Sequence, residues 1–296
     1  VRCDLYDNEI NVFGRNPRTG FAWRPFDNVG VQYGLLALAR RQIDAEQFIE
    51  LNERVGGFDA QGDPSTSRSE ADPEAVRNAY ERGVLLSGGG GLSEIPIIDW
   101  RAYSDDLGGS IDGHFRVLSF VTRARLMAAN GQANNQVILV DPREAWFKWV
   151  GFRSASQFWG PVEQLVPLMD RWLDQIDADQ QPGSRAQRVA RNKPAGVEDS
   201  CNTIDGERIV ETASVEGGGR CNTMYPSHAD PRLAAGAPLS DDILKCVLKS
   251  IEAADYPQPL TEAQLARLRA VFPRGICDYT RRGIGQSITS KTWQRF

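Results

Sequence analysis

An α/β fold built on a parallel sheet is predicted for this chain of 296 residues, and three observations predict it. Ile95–Trp100 is a short apolar run of the kind found in strands buried on both faces, and Gln136–Val140, ending in Asp141, is a second. Between them Phe115, Leu118, Phe120, Val121, Leu126 and Met127 recur at helical spacing, with Asn130-Gly131 as a helix stop. Strand, crossover helix and parallel strand make a βαβ unit, whose hand is right in nearly all proteins. The third observation is chemical. Ligands of such sheets gather beyond the carboxyl ends of the strands. The loop at that end holds Asp105, Asp106, Asp112 and His114, and His114 is one of only two histidines in the chain.

The remaining elements follow in order. Residues 1–28 are polar and rich in turns, with scattered aromatics, and read as an irregular arm. Asp27 or Asn28 can cap a helix running through Val31, Leu35 and Leu38 to Arg40-Arg41, and Asp44 a second with Phe48, Ile49 and Leu51 on its apolar face. Asp72-Pro73 opens a third that stops at Gly83. Gly88–Gly91 precede a strand. A phosphate loop would follow a strand and open a helix, so these glycines read as a close backbone passage and no cofactor is expected. After Asp141 comes an aromatic segment, Trp146 to Trp159, and Pro161 then opens an amphipathic helix with Val162, Leu165, Leu168, Trp172 and Ile176 on its apolar side. From Gln180 to Leu239 no helix is expected. Asp241 or Asp242 caps a helix through Ile243, Val247 and Ile251, and Thr261 opens a last one with Gln264 at the capping-box position.

Three regions result: residues 1–90 as arm and helical cap or lid, 91–180 as the βαβ-and-helix part of the sheet, and 181–296 as a disulfide-pinned appendage. Four of the five cysteines lie in the last third, and Cys201–Cys221 with Cys246–Cys277 is the preferred of three pairings. Such bridges point to a secreted or periplasmic protein. Cys3 is left over and invites a partner outside the chain. No C-x-x-C spacing supports zinc, and the two histidines with Asp112 or Asp230 form no specific ligand pattern, so no metal is expected. A net charge of -5 provides no general basic footprint for nucleic acid. No apolar run has the roughly 20 residues that span a bilayer.

Acyl transfer by a nucleophile needs an imidazole to take its proton and a carboxylate to hold that imidazole in the right tautomer. Asp105 or Asp106 followed by His114 or His228 supplies acid and then base. Asp106 is favoured narrowly over Asp105, and His114, beside Asp112, over His228 in its proline-bounded loop Tyr225–Pro231. Asp99, within or at the end of the first strand, is the third carboxylate and reads as structural. Arg123 and Arg125 read as partners for nearby carboxylates. A G-x-S-x-G elbow, which would present the serine, does not occur in the chain. With Val1 rather than Met at the start, a processed chain or fragment is expected, its nucleophile lying upstream in the same precursor.

The strings RPFDNVGVQYGL (Arg24–Leu35), FIELNERVGGFD (Phe48–Asp59), GGGGLSEIPIIDWRAY (Gly88–Tyr103), DGHFRVLSFVTRARL (Asp112–Leu126) and YPSHADPRLAAGAPLSDDILKC (Tyr225–Cys246) carry a resemblance. Together they resemble the C-terminal part of a family of large secreted bacterial proteins of unknown function, similar in outline to tannase and feruloyl-esterase type α/β hydrolases. The resemblance implies the C-terminal part of an α/β-hydrolase-like sheet and an upstream segment bearing the serine. It does not imply a known substrate; a small-molecule or polymer carboxylic ester is the leading expectation, with an amide as a close variant. The chain departs from the common hydrolase pattern in one place. The loop after Asp141, where the base is usual, contains no histidine, so His114 and His228 both stand as candidates. The competing expectation is a non-catalytic extracellular binding or assembly protein on the same scaffold.

Overall fold

The computed structural model describes residues 5–59, 62–107, 115–143, 160–228 and 230–288. His114, Asp112, Cys3 and the aromatic segment Trp146–Trp159 lie outside the described residues. The chain divides into two compact units, one of residues 1–87 with 229–296 and one of 88–228. The sequence expectation placed its boundaries at 90 and 180 instead. What separates the two divisions is the stretch 181–296, of which residues 181–228 belong to the sheet-bearing unit and 229–296 to the unit of residues 1–87.

That second unit carries a four-stranded sheet of strands β1 (Ile97–Ala102), β2 (Gln136–Asp141), β3 (Ser200–Asn202) and β4 (Arg208–Val210), in that spatial order. β1 and β2 run parallel, Ile97 opposite Gln136 through Ala102 opposite Asp141. β3 is parallel to β2, and β4 antiparallel to β3. Between β1 and β2 runs helix α1 (Val117–Asn130), ended by Gly131 at φ 71°, the left-handed geometry glycine adopts without strain. The βαβ unit read from the apolar periods is therefore present, its first strand two residues later than expected.

Side-chain alternation shows how the sheet is covered. Ile98 and Val137 pack with Trp172 and Ile176 of helix α2 (Gly160–Ala178), and with Val189 of helix α3 (Arg185–Arg191). Trp172 is fully buried, and its indole N–H donates to the Val189 carbonyl at 2.9 Å. Asp99, Arg101 and Gln136 use the other face. Arg101 bonds Ser119 of α1, and Gln136 donates to the Ser119 carbonyl at 3.2 Å. Arg123, also from α1, forms a two-pronged pair with Asp199 at 2.6 and 2.8 Å. Helix α3 was not expected. Val189 is its only buried apolar residue, so it has no apolar period to detect, and its signal is the Ser184–Gln187 capping box.

Gly88 explains the glycine run ahead of β1. At φ 77° a Cβ there would sit 2.2 Å from the Arg125 carbonyl oxygen, so only glycine lets this backbone pass α1 so closely.

The other unit is mainly helical. Leu38, Phe48, Ile49, Leu265, Leu268 and Phe272 form its main core, drawn chiefly from helices Ala45–Arg54 and Glu262–Val271. Asp44 and Thr261 cap these two, each in a capping box. Pro73–Glu81 forms the third expected helix. Three expectations fail here. Residues 1–28 are not wholly irregular, because Leu5–Phe13 is helical and Phe13 packs with Ala75 and Ala79. The helix expected from residue 31 spans only Leu35–Ala39, since buried Asn52 bonds both the N–H and the C=O of Tyr33 and Gly34 is left-handed. No helix runs from Ile243 to Ile251. The backbone there is held from outside: Leu244 N–H by Tyr80, Ile243 C=O by Arg232 and Val247 C=O by Asp278, while Leu248–Lys249 pairs with Ile276–Cys277.

Both preferred disulfides are present, Cys201–Cys221 in the sheet unit and Cys246–Cys277 in the helical one. No helix among the described residues is long and apolar enough to cross a membrane.

Candidate active site

The carboxyl end of β1 continues into Tyr103, whose N–H extends the ladder to the Asp141 carbonyl at 2.8 Å, and then into Ser104 and a 3-10 turn, Asp105–Leu107. The register therefore delivers two consecutive carboxylates to one strand end, and their environments differ. Asp106 is exposed and pairs with Arg143. Asp105 is 7% exposed. Its Oδ1 accepts the Arg116 backbone N–H at 2.8 Å, while its Oδ2 is buried and makes no hydrogen bond.

His228 arrives from a distant part of the sequence. β3 ends at Asn202, and Cys201 within it is bonded to Cys221 in the short helix α4 (Gly219–Met224). The segment Tyr225-Pro226-Ser227-His228 leaves α4 and is fixed at successive carbonyls. Arg116 donates to the Tyr225 carbonyl through Nη1 and to Asn222 Oδ1 through Nη2, the latter at 2.9 Å. The Tyr103 hydroxyl donates to the Pro226 carbonyl at 2.9 Å, and the Tyr225 hydroxyl to the Asn202 carbonyl at 2.7 Å. The Tyr103 and Tyr225 rings lie 5.3 Å apart. At the end of this clamped segment His228 is exposed, and its backbone N–H and its ring both act on the Asp105 carboxylate.

Electrostatics separate Asp105 from an ordinary buried carboxylate. Burial pushes its pKa above the usual aspartate value. The Arg116 and His228 N–H groups, then the charges of His228 and Arg116, oppose that rise without cancelling it. Burial also carries the Tyr103 phenol up to about 12, with the charges of Asp105 and Asp106 adding to the effect, so Tyr103 stays a neutral donor. The Oγ atoms of Ser104 and Ser227 and the Nε of Arg116 are buried without hydrogen-bond partners. Orphaned polar groups gathered in one place are costly in a fold held only by its packing.

Of the sequence candidates, the structure brings together Asp105 and His228. It leaves Asp106 in a surface ion pair and places Asp99 in the sheet, beside Arg101 at 3.4 Å. Sequence reasoning missed Arg116, Tyr103 and Asn222. Arg116 had a visible signal, a cation just before an apolar helix (His114-Phe115-Arg116-Val117), where first-turn chemistry favours acids.

A cavity of about 600 Å3 in the helical unit is lined by Arg68, Arg267 and Arg274 among others. These cations are already engaged: Arg68 with the carbonyls of Asn28, Val31 and Asn52, Arg267 with Glu46 and Glu53, and Arg274 with Glu70. It offers a polar cleft without convergent acid–base chemistry.

A family model described as a tannase-like family of unknown function (DUF6351) matches residues 1–288. No curated protein and no solved structure matches the chain.

Proposed function

This chain belongs to the tannase-like family of unknown function, and from that premise we propose that it contributes the acid and base of a secreted serine-type carboxylic-ester hydrolase. One observation carries the reading. At the carboxyl end of a parallel strand, a buried carboxylate is acted on by the backbone N–H and the charge of an exposed histidine held on a clamped segment. His228 is the base, and the free Oδ2 of Asp105 is the acceptor that holds the imidazole in its working tautomer.

The nucleophilic serine is proposed to come from polypeptide outside these 296 residues, where a G-x-S-x-G turn would present it, since that motif does not occur within them. His228 takes the hydroxyl proton as the serine oxygen bonds the acyl carbon. The imidazolium then gives that proton to the departing alkoxide as the ester C–O bond breaks. Water repeats the sequence: its proton goes to His228, its oxygen to the acyl carbon, and the serine leaves with the proton. Amides are a close variant of the same chemistry. The two disulfides fit an oxidising compartment and thus a secreted or periplasmic protein.

The test is to express the full precursor through a secretory pathway, react it unreduced with a fluorophosphonate, and weigh each labelled peptide. Labelling of a serine, with His228→Gln slowing it by roughly 10²–10⁴-fold, is the expected result. A precursor that takes no label, or a His228→Gln variant labelled at the parent rate, overturns the reading and leaves the scaffold as a binding protein.

A further inference from the structure

Resting on Asp105 and His228 as acid and base, we propose that Arg116 is the positioning residue that sets one against the other. Its main chain holds the acid, through the N–H to Asp105 Oδ1 at 2.8 Å. Its side chain holds the segment that carries the base, through the Tyr225 carbonyl and Asn222 Oδ1. One residue thereby ties the acid to the segment that carries the base, and acid and base lie 123 positions apart in the chain (228 minus 105).

The energetics make a purely structural role a poor account of this arginine. Arg116 is 2% exposed. A buried cation is normally matched by a carboxylate in contact. Even the half-buried Arg123 in the same unit is matched in this way, by Asp199. Arg116 makes no ion pair among the described residues, its acceptors are neutral oxygens, and its Nε is buried without a partner. Packing alone would be served as well by an apolar side chain. What the guanidinium adds is direction. Its central carbon lies over the Phe120 ring, 5.1 Å from the centroid, and its two terminal nitrogens fix a carbonyl and an amide oxygen simultaneously. Tyr103 is the second strap, since its strand leads into Asp105 and its hydroxyl holds the Pro226 carbonyl.

A base displaced by about 1 Å costs on the order of 10²-fold in rate. In the full precursor, Arg116→Ala is expected to lower fluorophosphonate labelling and the kcat for a small ester roughly 10–100-fold, with KM changed by less than about threefold. Guanidinium chloride at tens of millimolar should restore much of the variant's rate without stimulating the parent, whereas sodium or ammonium chloride should not. Amide hydrogen exchange should quicken in residues 222–228 and stay slow in β1 and β2. If Arg116→Ala misfolds, Tyr103→Phe, which removes one hydroxyl, is expected to lower kcat roughly 3–10-fold with the same localised exchange. A folded Arg116→Ala protein with the parent rate overturns the proposal, as does a loss that guanidinium does not rescue. The exchange pattern reports the strap without any activity. His228→Gln run in parallel reports the acid–base reading on its own, so either can fail alone.

Discussion

Two enclosed aspartates of the sheet unit, Asp105 buried and Asp199 half-buried, show the difference between a carboxylate that holds a fold and one set up to act. Asp199 is satisfied on every side: Arg123 grips both oxygens, and the backbone N–H groups of Ile138 and Ala213 donate at 2.9 and 3.0 Å. Burial pushes its pKa up, but the Arg123 bonds, the Arg123 charge and these amides outweigh it, and the net direction is downward. Asp105 is comparably enclosed yet accepts one N–H in full hydrogen-bond geometry, that of Arg116, with the His228 N–H acting on it outside such geometry, and its pKa goes up. Burial therefore does not distinguish the two roles; completeness of hydrogen bonding does.

The largest effect that could break this contrast is on rate. Asp105→Asn keeps an oxygen for the Arg116 N–H but can no longer balance an imidazolium. Fluorophosphonate labelling should fall by roughly 10³–10⁴-fold, with the melting temperature unchanged or higher. Retention of the parent rate would remove Asp105 from the site. Asp199→Asn should behave in the reverse manner, costing roughly 1–3 kcal/mol in urea unfolding because the half-buried Arg123 is left without its ionised partner. Any protein still folded should label normally.

The pH dependence sharpens the comparison, because the signs are opposite. Asp199, lowered in the fold, contributes stability above its unfolded pKa of about 3.9 and loses that contribution as pH falls through the folded value. Asp105, raised in the fold, opposes folding increasingly as pH rises from the unfolded value through the folded one. Melting measured from pH 3 to 7 should show the advantage of the parent over Asp199→Asn shrinking at the acid end. The advantage of Asp105→Asn over the parent should grow toward neutrality. Parallel curves for the two variants would erase the distinction.

Much of the frame was legible because it rests on periodicity. β2 was read with its terminal Asp141, α1 with its Gly131 stop, and the Thr261 capping box with the helix behind it, each from a local pattern. The failures share a cause. From Ile243 to Ile251 a helical apolar pattern is overruled by bonds from Tyr80, Arg232 and Asp278, all remote in sequence. The site divides the same way. That acids stand at the end of β1 follows from local order. That His228 reaches Asp105 depends on the disulfide-tied helix α4, Arg116 and Tyr103, contacts no local window contains.

The smallest expected effect tests this division most directly. Asp105 and Asp106 are adjacent and chemically identical, the sequence narrowly prefers Asp106, and the structure separates them by enclosure. The side chain of Asp106 is 50% exposed and that of its partner Arg143 28%. An ion pair of that kind is worth roughly 0–1 kcal/mol and weakens with salt. Asp106→Asn should therefore move stability by no more than about 0.5 kcal/mol and labelling by less than about threefold, and 0.5 M sodium chloride should abolish even that difference. Should Asp106→Asn instead slow labelling as severely as Asp105→Asn, the acid is shared between the two residues. Hydrogen-bond completeness would then no longer be what singles out Asp105.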